Sequence, residues 1–190
     1  MQIRRPEPNE WPQVVSILLD SFGAEYQKSF RCKPERLKKF VLRWNIDEDV
    51  WVAFDDRVVG VLNLSSRFSK NKSIFEKLRI IFGALPLPNA VFAFRGALKP
   101  RLHFKNVLNI EQIAVSTSCQ GKGIGFKLLE FAQDRAKELG LEKLALIVYG
   151  KNTAVRLYKR FGFNVVKTLR AWIYRSMLGY EEVFFMVKEL

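Results

Sequence analysis

The segment Cys119–Gly140, CQGKGIGFKLLEFAQDRAKELG, constrains this chain more than any other. Gly121, Gly123 and Gly125 alternate with larger residues and run straight into a helical pattern that Gly140 ends. The preceding FKNVLNIEQIAVS reads as a strand. The following EKLALIVYG is a nearly continuous apolar run, as expected of a strand buried on both faces. Two strands joined by a helical crossover form a parallel pair. Glycine is used in this density where backbone must come very close to something. The candidates are a nucleotide, another phosphate-bearing cofactor, or only the next element of the fold.

The flanking sequence completes a mixed sheet. Residues 2–5 read as a short strand, and Asn9 is placed to cap a helix through about Phe22, with Gly23 as its stop. Pro34 opens a second helix, in which Leu37, Phe40, Val41 and Trp44 repeat at helical spacing. VWVAFDDRVVGVLNLSS is a hairpin about Asp55 and Asp56. The insert at about 71–100 is less regular: SIFEKLRIIFGAL has a helical period, and PNAVFAFRGALKP reads as a further helix between prolines. Residues 153–161 form a short helix capped by Asn152 and ended by Gly162, and FNVVKTLRAWIYR and EEVFFMVKEL close the chain as strands. The expected class is α/β (α+β), a single domain over 1–190 with about seven strands in a mixed sheet and helices on both faces.

Composition narrows the setting. At 190 residues with 48% hydrophobic content the chain can bury a full core. Cys32 and Cys119 are too few for a disulfide framework, which predicts a reducing, cytoplasmic setting. No apolar run follows the charged start, which predicts no signal peptide, and IIFGALPLPNAVFAF is too short and too broken to span a bilayer. The net charge of +13 suits an anionic partner: nucleic acid, a membrane surface, an acidic substrate or a polyphosphate cofactor. The basic residues are spread without a run of five, so dedicated nucleic-acid binding is not expected.

The glycine loop matches neither of two familiar phosphate loops. Gly121-Lys122 is followed by Gly123, not by the Ser or Thr of a Walker A loop that would hold magnesium. The spacing G-x-G-x-G differs from the dinucleotide fingerprint G-x-G-x-x-G, and no acidic residue follows the next strand. A loop that opens a helix nevertheless presents free N–H groups and the positive end of the helix dipole. Lys122 adds a charge. A tight strand-to-helix turn that binds nothing is the alternative.

A second segment, VYGKNTAVRLYKRFGF, bears on that choice. Together with QGKGIG it resembles the GNAT superfamily of acyl-CoA-dependent N-acetyltransferases. The first family signature, [RQ]-x-x-G-x-[GA] behind a strand ending L-x-V, is met by Gln120, Gly123 and Gly125 behind Ile113-Ala114-Val115. The second, N-x-x-A-x-x-L-Y-x-x-x-G-F, is met by Asn152, Leu157, Tyr158, Gly162 and Phe163, with Val155 in the alanine place. The matched part covers about 108–164.

The resemblance implies acetyl-CoA as cofactor and direct acetyl transfer to a primary amine, on a small molecule or a peptide. It implies a strongly twisted sheet whose central parallel strands splay apart. The amides of Gln120, Gly121, Lys122, Gly123, Ile124 and Gly125 would then hold the pyrophosphate, and the backbone of Ile113 and Val115, around Ala114, the pantetheine arm. Asn152 would contact that arm or serve as a plain helix cap. Tyr158 would be the general acid; a thiol pKa of about 8.5 demands little help, and a phenol near 10 can still donate. An alkyl amine is neutral at about one part in a thousand at pH 7 and must lose a proton. Ile147 stands where many family members carry a carboxylate for this purpose and cannot serve. Glu111 is the candidate base, placed by period-two alternation on one side with Ile113 and Val115; a solvent-facing glutamate or a water relay are its rivals. His103 and Cys119 are given no role, and no metal constellation is found. The insert could be a lid, a homodimer surface, a membrane-lying face or plain packing. Two other functions stay open: an acyl-CoA-sensing module without chemistry, and an acetyltransferase acting on a nucleic-acid-associated protein.

Overall fold

The computed structural model describes residues 1–30, 32–46, 48–66, 72–84, 106–170 and 182–190. Their elements are β1 (Gln2–Arg4), α1 (Trp11–Phe30), α2 (Pro34–Asn45), β2 (Asp49–Asp55), β3 (Arg57–Ser65), α3 (Ile74–Ala84), β4 (Val107–Val115), α4 (Ile124–Glu138), β5 (Lys143–Tyr149), α5 (Ala154–Phe161), β6 (Asn164–Leu169) and β7 (Val183–Glu189). One seven-stranded sheet runs in the order β1-β2-β3-β4-β5-β7-β6. Among the described strands only β4 and β5 are parallel, as their helical crossover demands.

Two apolar layers sandwich the sheet. On one face Ile124, Leu128, Leu129, Ala132 and Ala136 of α4, with Tyr158 and Phe161 of α5, pack on Leu62, Leu64, Leu108, Ile110, Leu144, Leu146 and Val148. On the other, Val14, Val15 and Leu18 of α1 and Leu37, Phe40 and Val41 of α2 cover Val50, Val52, Val61 and Ala114, and Ile81 of α3 joins them. Asn45 of α2 is buried without loss: its Nδ2 donates to Val41 O, and its Oδ1 accepts from Asn63 Nδ2.

Two expectations for the first helices are corrected. Asn9 does not cap α1; it lies in a 3₁₀ turn, Pro8–Glu10, whose Glu10 carboxylate accepts the Glu7 N–H at 2.8 Å. Nor does Gly23 end α1, which continues to Phe30. Glycine inside a helix costs about 1 kcal/mol, but Leu19, Phe22 and Tyr26 on either side of it pack into the same layer and offset that. In the last part of the chain β6 ends at Leu169 and Arg170 is no longer strand; residues 171–175 of the expected strand, the expected helix after Pro88 and His103 lie outside the described residues.

Two irregularities in β4 position the site. Asn63 of β3 pairs with Gln112 while Leu64 pairs with Ile110, so Glu111 is the extra residue of a β-bulge. On its other edge β4 pairs with β5 only from Val107↔Lys143 to Ile110↔Leu146. Beyond Ile110 the two parallel strands separate, while β4 stays in the β3 ladder as far as Val115↔Gly60.

Candidate active site

Among the described residues, the separation leaves half of β4 with an open edge. Ser116 N donates to Val59 O, and this fixes which backbone groups face β3. By the alternation of an antiparallel ladder, Ala114 and Gln112 also turn their polar groups to β3, and Ile113 and Val115 turn theirs towards the gap. Ala114 is therefore engaged, with its methyl in the α1–α2 layer. The side chains of Ile113 and Val115 pack against the α4–α5 layer instead. Gln120 Nε2 donates to Val115 O at 3.3 Å and ties the loop to the end of the strand.

The three loop glycines divide by purpose. Gly121 and Gly123 have φ of +78° and +79°, a conformation costly for residues with a Cβ, and a Cβ on either would meet nothing within 4 Å. They bend the chain and leave the loop's outer surface bare. Gly125 lies in the first turn of α4, where a Cβ would sit 3.1 Å from Leu157 Cδ2. Its role is the close approach of α4 to α5. Among the described residues, the amides of Gly121, Lys122, Gly123, Ile124 and Gly125 donate to no protein acceptor, and no side chain caps α4, whereas the Gln120 amide, expected to share in the same site, turns back to Thr117 O at 3.5 Å. Consecutive free N–H groups at a helix start, beside Lys122, form a nest with the chemistry of a phosphate site. The residues present thus fit the diphosphate of a coenzyme A: a bare, donor-lined loop continues into an open strand edge that can pair with an amide-bearing arm.

Below the loop, Cys119 is buried; a hydrogen bond with Ser118, then Arg57 and Lys122, lower its thiol pKa. Arg57 Nη2 donates to Ser118 Oγ at 3.2 Å. At the start of α5, Asn152 Oδ1 accepts the Ala154 N–H at 2.8 Å, so its oxygen serves as a helix cap. Tyr158 is 6% exposed in the α4–α5 layer, with its ring edge-on to Phe163. Burial pushes its phenol up to about 12, and among the described residues its hydroxyl has no hydrogen-bond partner.

Glu111 lies on the other side. Its Oε1 accepts from Ser65 Oγ at 2.6 Å. Ser65 shares a face of β3 with Asn63, which bonds to α2. The alternation that would have grouped Glu111 with Ile113 and Val115 is broken by the bulge, which sends Glu111 and Gln112 together to the α1–α2 face. Gln112 Nε2 donates to Tyr26 Oη of α1 at 2.6 Å, and the buried Gln112 Oε1 has no hydrogen-bond partner among the described residues. Ile147 of β5 is 43% exposed. Sequence reasoning missed Ser65, Gln112 and Tyr26, which have no local signature. Among the described residues, no His, Cys, Asp and Glu cluster could hold a metal ion.

The sequence profile of the Acetyltransferase (GNAT) family matches residues 11–163, and the chain belongs to that family. It is 38% identical over 63 residues to the uncharacterized N-acetyltransferase YdgE of Bacillus subtilis (strain 168), a match spanning 33% of this chain and 40% of that protein. Among solved structures, an N-acetyltransferase from Staphylococcus aureus Mu50 superposes with a TM-score of 0.68 at 16% identity, over 98% of this chain and 100% of that one. A ribosomal-protein-alanine N-acetyltransferase from Brucella melitensis gives 0.65 at 19% identity, over the whole of both chains. The PaiA N-acetyltransferase of Thermoplasma acidophilum, solved in complex with coenzyme A, gives 0.57 at 15% identity over 100% of this chain and 98% of that one. These likenesses establish the fold.

Proposed function

We propose that this chain, working as one domain over residues 1–190, transfers an acetyl group from acetyl-CoA to a primary amine in a ternary complex. The observation that carries the reading is the pairing of two free stretches of backbone: the Gly121–Gly125 amides at the start of α4, and the edge of β4 at Val115 and Ile113 beyond its pairing with β5. The nest holds the diphosphate, and the open edge pairs with the pantetheine amides. Bound there, acetyl-CoA supplies an activated acyl carbon and a thiolate leaving group.

The chain's own residues divide the proton work between the two faces of the sheet. Glu111, reached from the α1–α2 face, takes the proton that a cationic amine must lose before it can attack. Ser65 holds that carboxylate by donating to Oε1. Tyr158, on the α4–α5 face, keeps its phenol proton well past neutral pH and donates it to the departing sulfur. The gap between β4 and β5 is where the two sides meet.

A panel of amines, polyamines, aminoglycosides and peptides, assayed by thiol release from acetyl-CoA, tests the reading. Release above the amine-free rate with any acceptor, reduced in Tyr158→Phe and Glu111→Gln, supports it. Tight acetyl-CoA binding without release across the panel supports instead an acyl-CoA-sensing module, a reading favoured by Ile147 in the place of a carboxylate. The ribosomal-protein-alanine N-acetyltransferase among the structural neighbours makes peptide N-termini a worthwhile arm of the panel.

A further inference from the structure

The segment between the adjacent strands β3 and β4 carries α3, and α3 has a face that the core does not use. Its inner side is fixed: Ile81 is 1% exposed among α1 and α2 residues, and Ile80 packs beside it. Its start is tied down as well. Lys72 Nζ donates to Trp44 O at 3.3 Å, contacts Ile46 O, and pairs with Glu48 at 3.4 Å. Ser73 and Glu76 close a reciprocal capping box, Ser73 N to Glu76 Oε2 at 2.7 Å and Glu76 N to Ser73 Oγ at 3.2 Å. With that orientation set, Phe75 and Phe82 project outward, 79% and 48% exposed. Two turns apart, they share one line along the helix, and the exposed Arg79 lies between them.

Two exposed phenyl rings flanking an arginine on an anchored helix call for a partner that is apolar and anionic at once. Charge favours the same partner. From Lys77 to Lys105 the sequence contains six Lys or Arg and no Asp or Glu, within a chain of net charge +13. A second copy of this chain would carry the same excess of positive charge. A duplex nucleic acid would pair with the basic side chains, but its bases are stacked within the helix and leave Phe75 and Phe82 in water. A bilayer containing anionic lipid satisfies both, with rings below the headgroups and Arg79 among the phosphates. Among the described residues no helix is long and apolar enough to cross a membrane, so the contact is interfacial.

We infer that the outer face of α3, through Phe75, Arg79 and Phe82, docks the protein on anionic membrane surfaces. This goes beyond acetyl transfer and does not rest on it, since binding is read without acetyl-CoA.

The test is flotation of the full chain with vesicles of phosphatidylcholine alone or mixed with phosphatidylglycerol. Binding is expected only to the mixed vesicles, weakening as salt rises. Phe75→Ser/Phe82→Ser should lower it about tenfold, the loss of partial burial of two rings. Arg79→Glu should lower it while the apolar pair remains, and it carries the test if the double variant fails to fold by circular dichroism. Failure to float with either vesicle overturns the inference. So does mixed-vesicle binding that both variants retain, or RNA capture that both variants retain and that displaces the vesicles.

Discussion

Ser65 Oγ donates to Glu111 Oε1 at 2.6 Å across the β3–β4 ladder, at the bulge where Glu111 is the unpaired extra residue. A bulge leaves its extra side chain without the flanking contacts that fix a regular strand residue. The serine supplies the missing constraint. If Glu111 is the base, Glu111→Gln should lower kcat/KM about a hundredfold. Ser65→Ala should cost less, about three- to tenfold, as expected for one hydrogen bond to a charged group. Neither should change acetyl-CoA affinity in a calorimetric titration, because both lie on the face away from α4.

Tyr158 supplies a second prediction. Tyr158→Phe should lower turnover about tenfold to a hundredfold with acetyl-CoA affinity nearly unchanged. Its pKa also gives a stability signature with a definite sign. A phenol raised from about 10 to about 12 by burial stays neutral in the folded state while its unfolded counterpart ionises. The unfolded state then binds fewer protons, so stability falls as pH rises through that window, and below it the group contributes no pH dependence. Denaturant melts of wild type and Tyr158→Phe should have slopes against pH that agree up to about 10 and diverge above it. Parallel slopes throughout would place the phenol in contact with water.

The loop glycines predict a separation of effects. Gly121→Ala and Gly123→Ala each force a Cβ into a left-handed conformation, at about 1–2 kcal/mol of stability. Both should also weaken acetyl-CoA binding, since the bare outer surface of the loop is lost. Gly60→Ala should act mainly on stability, because Gly60 itself lies outside the loop and the strand edge assigned to the ligand. A Cβ there meets Leu128 Cδ1 at 3.1 Å, Ile124 Cγ2 at 3.2 Å and Ala114 O at 3.4 Å, so it pushes β3 away from α4, at about 1–3 kcal/mol. Melting curves and calorimetric titrations of the three variants separate the two kinds of loss.

What was legible in the chain was local. The glycine spacing, the caps at Asn152 and Gly162 and the apolar run of β5 are written within a few residues of the elements they define, and those elements stand where the sequence puts them. The bulge was not legible, because it arises from the register of Asn63 and Leu64 against β4, and nothing around Glu111 marks it. The same holds for the Ser65–Glu111 and Tyr26–Gln112 pairs, separated by 46 and 86 residues. Gly23 misled for a related reason: a stop signal of about 1 kcal/mol was outweighed by packing on both sides of it. Gly60 carries no motif at all, and its need for a bare Cα appears only when α4 is laid across β3.

The last prediction concerns the far edge of the sheet, remote from the gap, where Arg4 grips Glu10. Arg4 Nη2 donates to Glu10 Oε1 at 2.6 Å and Nη1 to Oε2 at 2.8 Å, while Oε2 also accepts the Glu7 N–H at 2.8 Å. Glu10 is 5% exposed, so its ionised carboxylate depends on these donors. The bonds from Arg4, more than the opposing burial, hold its pKa below the usual carboxylate value. A depressed folded-state pKa contributes stability that is present above the unfolded value and is lost as pH falls through the folded one. Glu10→Gln keeps the shape but not the charge, so its melting temperature should lie below wild type at neutral pH. The gap should close in acid, where the wild-type carboxyl is protonated as well. Tyr158→Phe, carried through the same acid series, should stay parallel to wild type, because a phenol titrates far above it. An Arg4–Glu10 gap that persists unchanged into strong acid would show that the glutamine disturbs packing at the β1–α1 junction, and that ionisation there contributes nothing.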